Sequence, residues 1–206
     1  MSKLEHTGPT SAKPESGKTR VRDRIFDTAC ELFYRQGIRC VGVDAIANEA
    51  GTNKMSFYRS FSSKDELVAE YLRAHEQEHW EWWEETIAPY AGEPRRQIEA
   101  LFDGYLVKTR KKDSFGCPFV NAAAELREAD HPGLEVIHKA KAEMRRRFRK
   151  MAKDAGATTP DLLGDALTLL ADGGVMSRLS FACQEGPGTN APKIVRTVLD
   201  AYLGKN

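Results

Sequence analysis

Cysteine is scarce in this chain of 206 residues, and the four that occur (Cys30, Cys40, Cys117 and Cys183) lie far apart. No Cys-x-x-Cys or similar spacing is present, so they read as reduced thiols rather than a disulfide frame or a metal centre. Long apolar runs are missing as well. The longest stretch without a charged residue is Ser114–Ala124, 11 residues, against roughly 20 for a membrane-crossing helix. The opening MSKLEHTGPTSAKPESG lacks the apolar centre of a secretory signal and is expected to be a disordered tail over residues 1–19. A dominant charge sign is lacking too: 31 Lys+Arg stand against 30 Asp+Glu, a net +1. That excludes a chain coated in basic charge, but not a segregated basic patch. These absences point to the cytoplasm, with no membrane, no metal and no cofactor.

The charge that is present is segregated. Residues 1–64 carry 11 Lys+Arg and 7 Asp+Glu, a net +4, which leaves −3 for the remainder. The first part is a candidate anion-facing module. Hydrophobic residues at 41% and charged residues at 30% are ordinary for a globular chain of this size.

Period-2 alternation is absent, while helical spacing recurs throughout, which predicts an all-α fold of about nine helices. Val21, Ile25, Ala29, Leu32 and Phe33 form one apolar face, ended by Gly37. A short piece follows with Val43, Ile46, Ala47 and Ala50 on one face, and Gly51 breaks it. Thr52 or Asn53 can cap a second short piece starting at Lys54. Ser63 with Glu66 forms a capping box for the next helix. Further helices are expected from Arg95 to Lys111, over Phe119–Leu126, after His131-Pro132-Gly133, after Pro160 and from Lys193 to Leu203. Glu185–Pro192 reads as a loop.

Two short helices joined by a glycine turn, in the basic segment, suggest a helix-turn-helix. A helix entering a major groove must be slim and bear donors near its N-terminus. Asn53, Lys54, Ser56, Tyr58 and Arg59 supply them, and Ala47, Ala50 and Gly51 are small enough for a close helix crossing.

The stretch Arg24–Leu67 resembles the N-terminal domain of the TetR family of transcriptional repressors. The matching residues include Ile25, Ala29, Phe33, Gly37, Ile46, Ala47, Ala50, Gly51, Tyr58, Phe61, Lys64 and Leu67. The resemblance implies a DNA-binding domain over 20–66 and a helical ligand-binding and dimerisation domain over 67–206. It implies phosphate contacts at Tyr58 and Lys64, and base or phosphate contacts among Asn53, Lys54, Met55, Ser56 and Arg59. This chain departs from the family pattern at Gly42-Val43, where a Thr or Ser usually touches phosphate, so Asp44 is expected to cap that helix instead and is counted among the DNA-binding candidates. It departs again at Met55, where Gly is common, and at Ser60, where an aromatic residue or His is common.

A ligand cavity needs apolar and aromatic walls with a few polar anchors. Trp80, Trp83, Phe102, Tyr105, Phe115, Cys117, Phe119, Asn121 and Met176 are the candidates. The resemblance implies pairing of the last two helices between protomers, through Leu163, Leu167, Leu170, Gly174, Val195, Val198, Leu199 and Tyr202. The expected partners are thus operator DNA, a small-molecule effector and a second copy of the chain. Eight Lys/Arg within Lys139–Lys153 read as a solvated helix face rather than a second nucleic-acid surface. His75 and His79 share a helix face, but no third ligand supports a metal. The rival reading is a thiol-dependent or hydrolytic enzyme using Cys117 with a histidine; no motif for either is present, and the chain is expected not to be an enzyme.

Overall fold

The computed structural model describes residues 20–181 and 186–204. The expected tail over 1–19, and Cys183, lie outside them. Nine α-helices form the described residues, with no strand: α1 (Val21–Gln36), α2 (Val43–Glu49), α3 (Lys54–Ser60), α4 (Lys64–Ile87), α5 (Pro94–Arg110), α6 (Pro118–Glu125), α7 (Pro132–Asp154), α8 (Pro160–Ser180) and α9 (Ala191–Leu203). Helices α5 to α8 each open on proline, whose fixed φ and missing N–H suit a first helical position. Of the expected loop at Glu185–Pro192, Glu185 lies outside the described residues, and the rest is more ordered than its composition suggests. Pro187–Asn190 winds into a 3₁₀ turn and α9 has already begun at Ala191, with Pro192 in its first turn.

Two apolar cores hold the helices. The first joins Ile25, Ala29 and Phe33 of α1 to Ile46 of α2, Phe57 of α3 and Leu67, Val68 and Leu72 of α4, and takes in Phe119 and Ala122 of α6 and Ile137 of α7. The second gathers Trp83, Leu101, Phe102, Phe148, Leu163, Leu167, Val195 and Leu199. Each fully enclosed Leu, Val or Phe contributes roughly 1.5–3 kcal/mol. The boundary drawn at residue 66 falls inside α4, which runs unbroken from one core to the other.

The burial pattern corrects the expected dimer stripe. Leu163, Leu167, Val195 and Leu199 are fully enclosed within the single chain, where they hold α8 and α9 onto α5 and α7. Leu170, Val198 and Tyr202 pack half-buried against the same core, and Gly174 sits against Ala191. The large apolar groups left outside on these helices are Leu162, Leu169, Leu179 and Ile194.

Helices α7 and α8 cross most closely at Gly164. A Cβ there would stand 2.6 Å from Arg149 Cα, which is backbone and cannot swing away. Arg149 is itself held on the Asp165 carboxylate by Nε and Nη2 at 2.8 Å. Gly164→Ala is therefore expected to force the helices apart and lower stability by about 1–3 kcal/mol, read as a fall in the urea midpoint. An unchanged midpoint would mean that α8 slides along α7 without loss.

Candidate functional site

Helix α3 turns most of its residues to the outside, and its placement follows from three local devices. Gly51 turns the chain with φ +63°, a conformation that L side chains rarely adopt. Asn53 Oδ1 accepts the Ser56 N–H at 3.0 Å and caps α3. Phe57 is fully buried and pins the helix from beneath, edge-on to Tyr58. What remains outward is Lys54, Met55, Tyr58 and Arg59, with Met55 68% and Tyr58 52% exposed. Ser56 is half-buried.

Several expected DNA contacts are already engaged inside the chain. Lys54 Nζ donates to Asp44 Oδ2 at 3.1 Å, and this hydrogen bond raises the lysine pKa above its usual value. Asp44 makes that pair and does not cap α2. Gly42 holds the cap position, and no side chain bonds the free N–H groups there. The reason is position: Asp44 is the second residue of the helix, past the place from which a side chain can fold back. Lys64, the first residue of α4, donates to the Ile38 carbonyl at 2.6 Å, and burial lowers its pKa. Ser63 caps α4 by accepting from the Glu66 N–H at 3.0 Å, as the sequence pattern predicts. Each ammonium keeps further N–H donors for a phosphate.

A second site lies between α4, α5, α6, α7 and α8: a cavity of about 300 Å³. Of the expected residues, Trp80, Tyr105, Cys117 and Phe119 line it. Trp83 and Phe102 are only 1% exposed and belong to the second core. Phe115, Asn121 and Met176 stand behind the wall and shape it. Asn121 Nδ2 donates to the Phe115 carbonyl at 2.7 Å, and Met176 Sδ accepts from the Cys117 N–H at 3.5 Å. The sequence reading missed His75, His79, Lys108 and Lys141, which also line the cavity.

Burial dominates the electrostatics of this wall. It drives His79 down to about 3 and His75 down to about 4, with Lys108 the next cause for both. Both imidazoles are therefore neutral at pH 7. Burial also lowers Lys108 to about 8. Lys141 is neutralised by Asp172 and approaches Cys117 Sγ at 3.9 Å. Among the described residues, no three metal-binding side chains converge.

The cavity and the reading head share residues. Tyr34 of α1 lines the cavity, and its hydroxyl donates to the Gly116 carbonyl at 3.1 Å while accepting from the Phe115 N–H at 3.0 Å. Glu125, at the end of α6, accepts the Arg39 N–H at 2.8 Å. The same carboxylate lies beneath Gly37, where φ is +88° and a Cβ would meet Glu125 Oε1 at 3.0 Å. Buried His131 stands 3.5 Å from Asp65 on α4.

A slim outward helix in a helix-turn-helix, fused to a helical body, defines a DNA-binding transcriptional regulator. Residues 25–71 match the family described as bacterial regulatory proteins, tetR family. A TetR-type transcriptional regulator from Streptomyces avermitilis, solved by crystallography, is 30% identical. The match covers 89% of this chain and 98% of that one, with a TM-score of 0.72. A TetR-family transcriptional regulator from Streptomyces coelicolor is 25% identical with a TM-score of 0.79, over 89% of this chain and 96% of that one. The HTH-type transcriptional repressor KstR2 of Rhodococcus jostii is 34% identical over 93 residues, 45% of each chain, so that match spans less than half of the curated relative. The chain belongs to the TetR family.

The two depressed imidazoles make stability depend on pH. On unfolding they return to about 6.5, so below that pH the unfolded chain binds protons that the folded chain refuses. Stability is fully present above pH 6.5 and falls as pH drops towards 4. The urea midpoint is expected to fall between pH 6.5 and about 5, and clearly less in the His75→Gln/His79→Gln protein. Equal slopes in both proteins would assign the acid sensitivity elsewhere.

Proposed function

We propose that the chain is a ligand-responsive repressor of the cytoplasm that binds a palindromic operator as a homodimer and is released by a small molecule. The observation that carries the reading is Tyr34. It belongs to α1 of the reading head, yet its side chain forms part of the cavity wall and holds the Phe115–Gly116 segment. A molecule entering the cavity meets the reading head directly, without an intervening layer.

Release follows if the molecule favours a form in which this fastening is shifted. Operator affinity then drops by the ligand's differential affinity for the two forms. The continuous helix α4 supports the same reading, since His75, His79 and Trp80 line the cavity and Lys64 begins the helix at the phosphate side. Two recognition helices must stand about 34 Å apart to read successive major-groove faces, which a dimer supplies. The outward stripe of Leu162, Leu169 and Gly173 on α8, with Ile194 on α9, is the surface offered for it. The enzyme reading is less well served: Cys117 Sγ is met by Lys141 Nζ rather than by an imidazole.

Selection of bound duplexes from a random pool, followed by fluorescence anisotropy across a salt series, tests the reading. Enrichment of a palindrome is expected. Lys64→Met should weaken every sequence alike and lower the salt slope by roughly 0.9 per protomer. Tyr58→Phe should weaken binding with the slope unchanged, because a phenol displaces no counterion. The absence of any enriched sequence would refute the operator reading.

Leu169 is 75% exposed. Leu169→Glu is expected to yield monomers in sedimentation and to abolish palindrome binding while leaving the helical content intact. Dimers that persist would place the interface on another face.

A further inference from the structure

The charged and hydrogen-bonding groups of the cavity wall restrict what it can hold. Tyr105 Oη is sealed from solvent and has no hydrogen-bond partner among the described residues. A buried hydroxyl left in that state costs free energy that an acceptor in the cavity would recover. One turn further along α5, and on the same face, stands Lys108. Its ammonium lies 3.7 Å from the centre of the Trp82 ring and makes no hydrogen bond or ion pair with any described residue. Lys141 differs, because Asp172 already neutralises it.

A cationic guest is disfavoured by what covers the aromatic walls. An ammonium guest binds best over an open indole face. Among the indoles Trp80 lines the cavity, and Arg147 already lies 4.1 Å from the centre of its ring. After burial, the groups acting on the His79 imidazole are Lys108, His75, Lys141 and Arg147, and no carboxylate is among them. The acids Glu78 and Asp113 are exposed at the mouth, and Glu76 accepts the Trp80 indole N–H at 3.4 Å. At about 300 Å³ the space suits a compact guest.

We propose that this cavity selects a compact organic anion, a flat apolar body bearing one carboxylate-like group, held by the Lys108 ammonium and the Tyr105 hydroxyl. The proposal rests on the effector reading of the cavity. The body would lie against Phe119, Met144 and Val175, and the neutral imidazoles of His75 and His79 would add donors without charge.

Calorimetric titration of the full chain with 1-naphthoate and with 1-naphthylmethylammonium tests it, since the two share a ring system and differ in charge. Naphthoate should bind at least about tenfold more tightly than the cation. Lys108→Met should lose about tenfold for naphthoate, Lys108→Arg should retain most of the affinity, and Tyr105→Phe should lose several-fold. The proposal is overturned if the cation binds as tightly, if Lys108→Met leaves naphthoate affinity unchanged, or if neither compound binds. Anisotropy on the selected operator separates the two readings. Naphthoate that binds with these dependences and leaves operator affinity untouched supports the anion site and sinks the effector reading. Operator release by the cation does the reverse.

Discussion

Everything in this molecule is referred to one helix. α4 runs for 24 residues, about 36 Å at 1.5 Å per residue, without a glycine or proline inside it. Leu67, Val68 and Leu72 near its start are fully enclosed in the first core, and Trp83 near its end is enclosed in the second. Between them His75, His79 and Trp80 face the cavity. An α-helix without a break cannot kink cheaply, so a displacement of its cavity segment reaches Lys64 as a rigid movement. Continuity of backbone hydrogen bonding thus does the work that a hinge does in proteins divided at a loop.

A rigid helix by itself fixes no direction for the head. The fastenings at Tyr34, Glu125 and His131 decide which way the head is held on that helix. Tyr34 bonds loop atoms on the cavity's rim, and the Glu125 carboxylate grips the turn after α1 from the end of α6. α6 also presents Phe119 to the cavity, so one short helix lines the cavity at its start and holds the turn after α1 at its end. Gly37 is required twice over, by its positive φ and by the carboxylate packed where a Cβ would stand.

The reading head was legible because its signals are local. Asn53 and Ser63 cap the helices that their positions imply, and Gly37 and Gly51 stop the chain where positive φ is needed. The cavity and the protomer surface were less so, because an apolar period says that a face is buried without saying against what. α8 carries Leu162, Leu163, Leu167, Leu169 and Leu170 and is apolar nearly all round. Only the packed fold separates inward Leu163 and Leu167 from outward Leu162 and Leu169. Trp83 and Phe102 read as cavity walls for the same reason and proved to be core. Lys108 and Lys141 were passed over because lysine reads as surface. The available signal was their setting: Lys108 follows Tyr105 by three residues, opposite the histidine pair of α4.

The uneven charge of the sequence has a structural counterpart in α7. Most of the cations in its basic run are paired within the body. Arg145 and Arg149 both grip Asp165, whose carboxyl is held well below its ordinary range. Arg146 and Arg147 share Glu143, which falls to about 2, and Lys141 and Lys150 are paired with Asp172 and Asp154. Exposed pairs of this kind add little stability each. Their larger effect is on the field: cations already matched by carboxylates attract a polyanion weakly, whatever their number. On the proposed reading, orientation on DNA then falls to the few donors of the helix-turn-helix. The pairs made by Lys54 and Lys64 there, with Asp44 and with the Ile38 carbonyl, are single and partly exposed, and phosphate can compete for them.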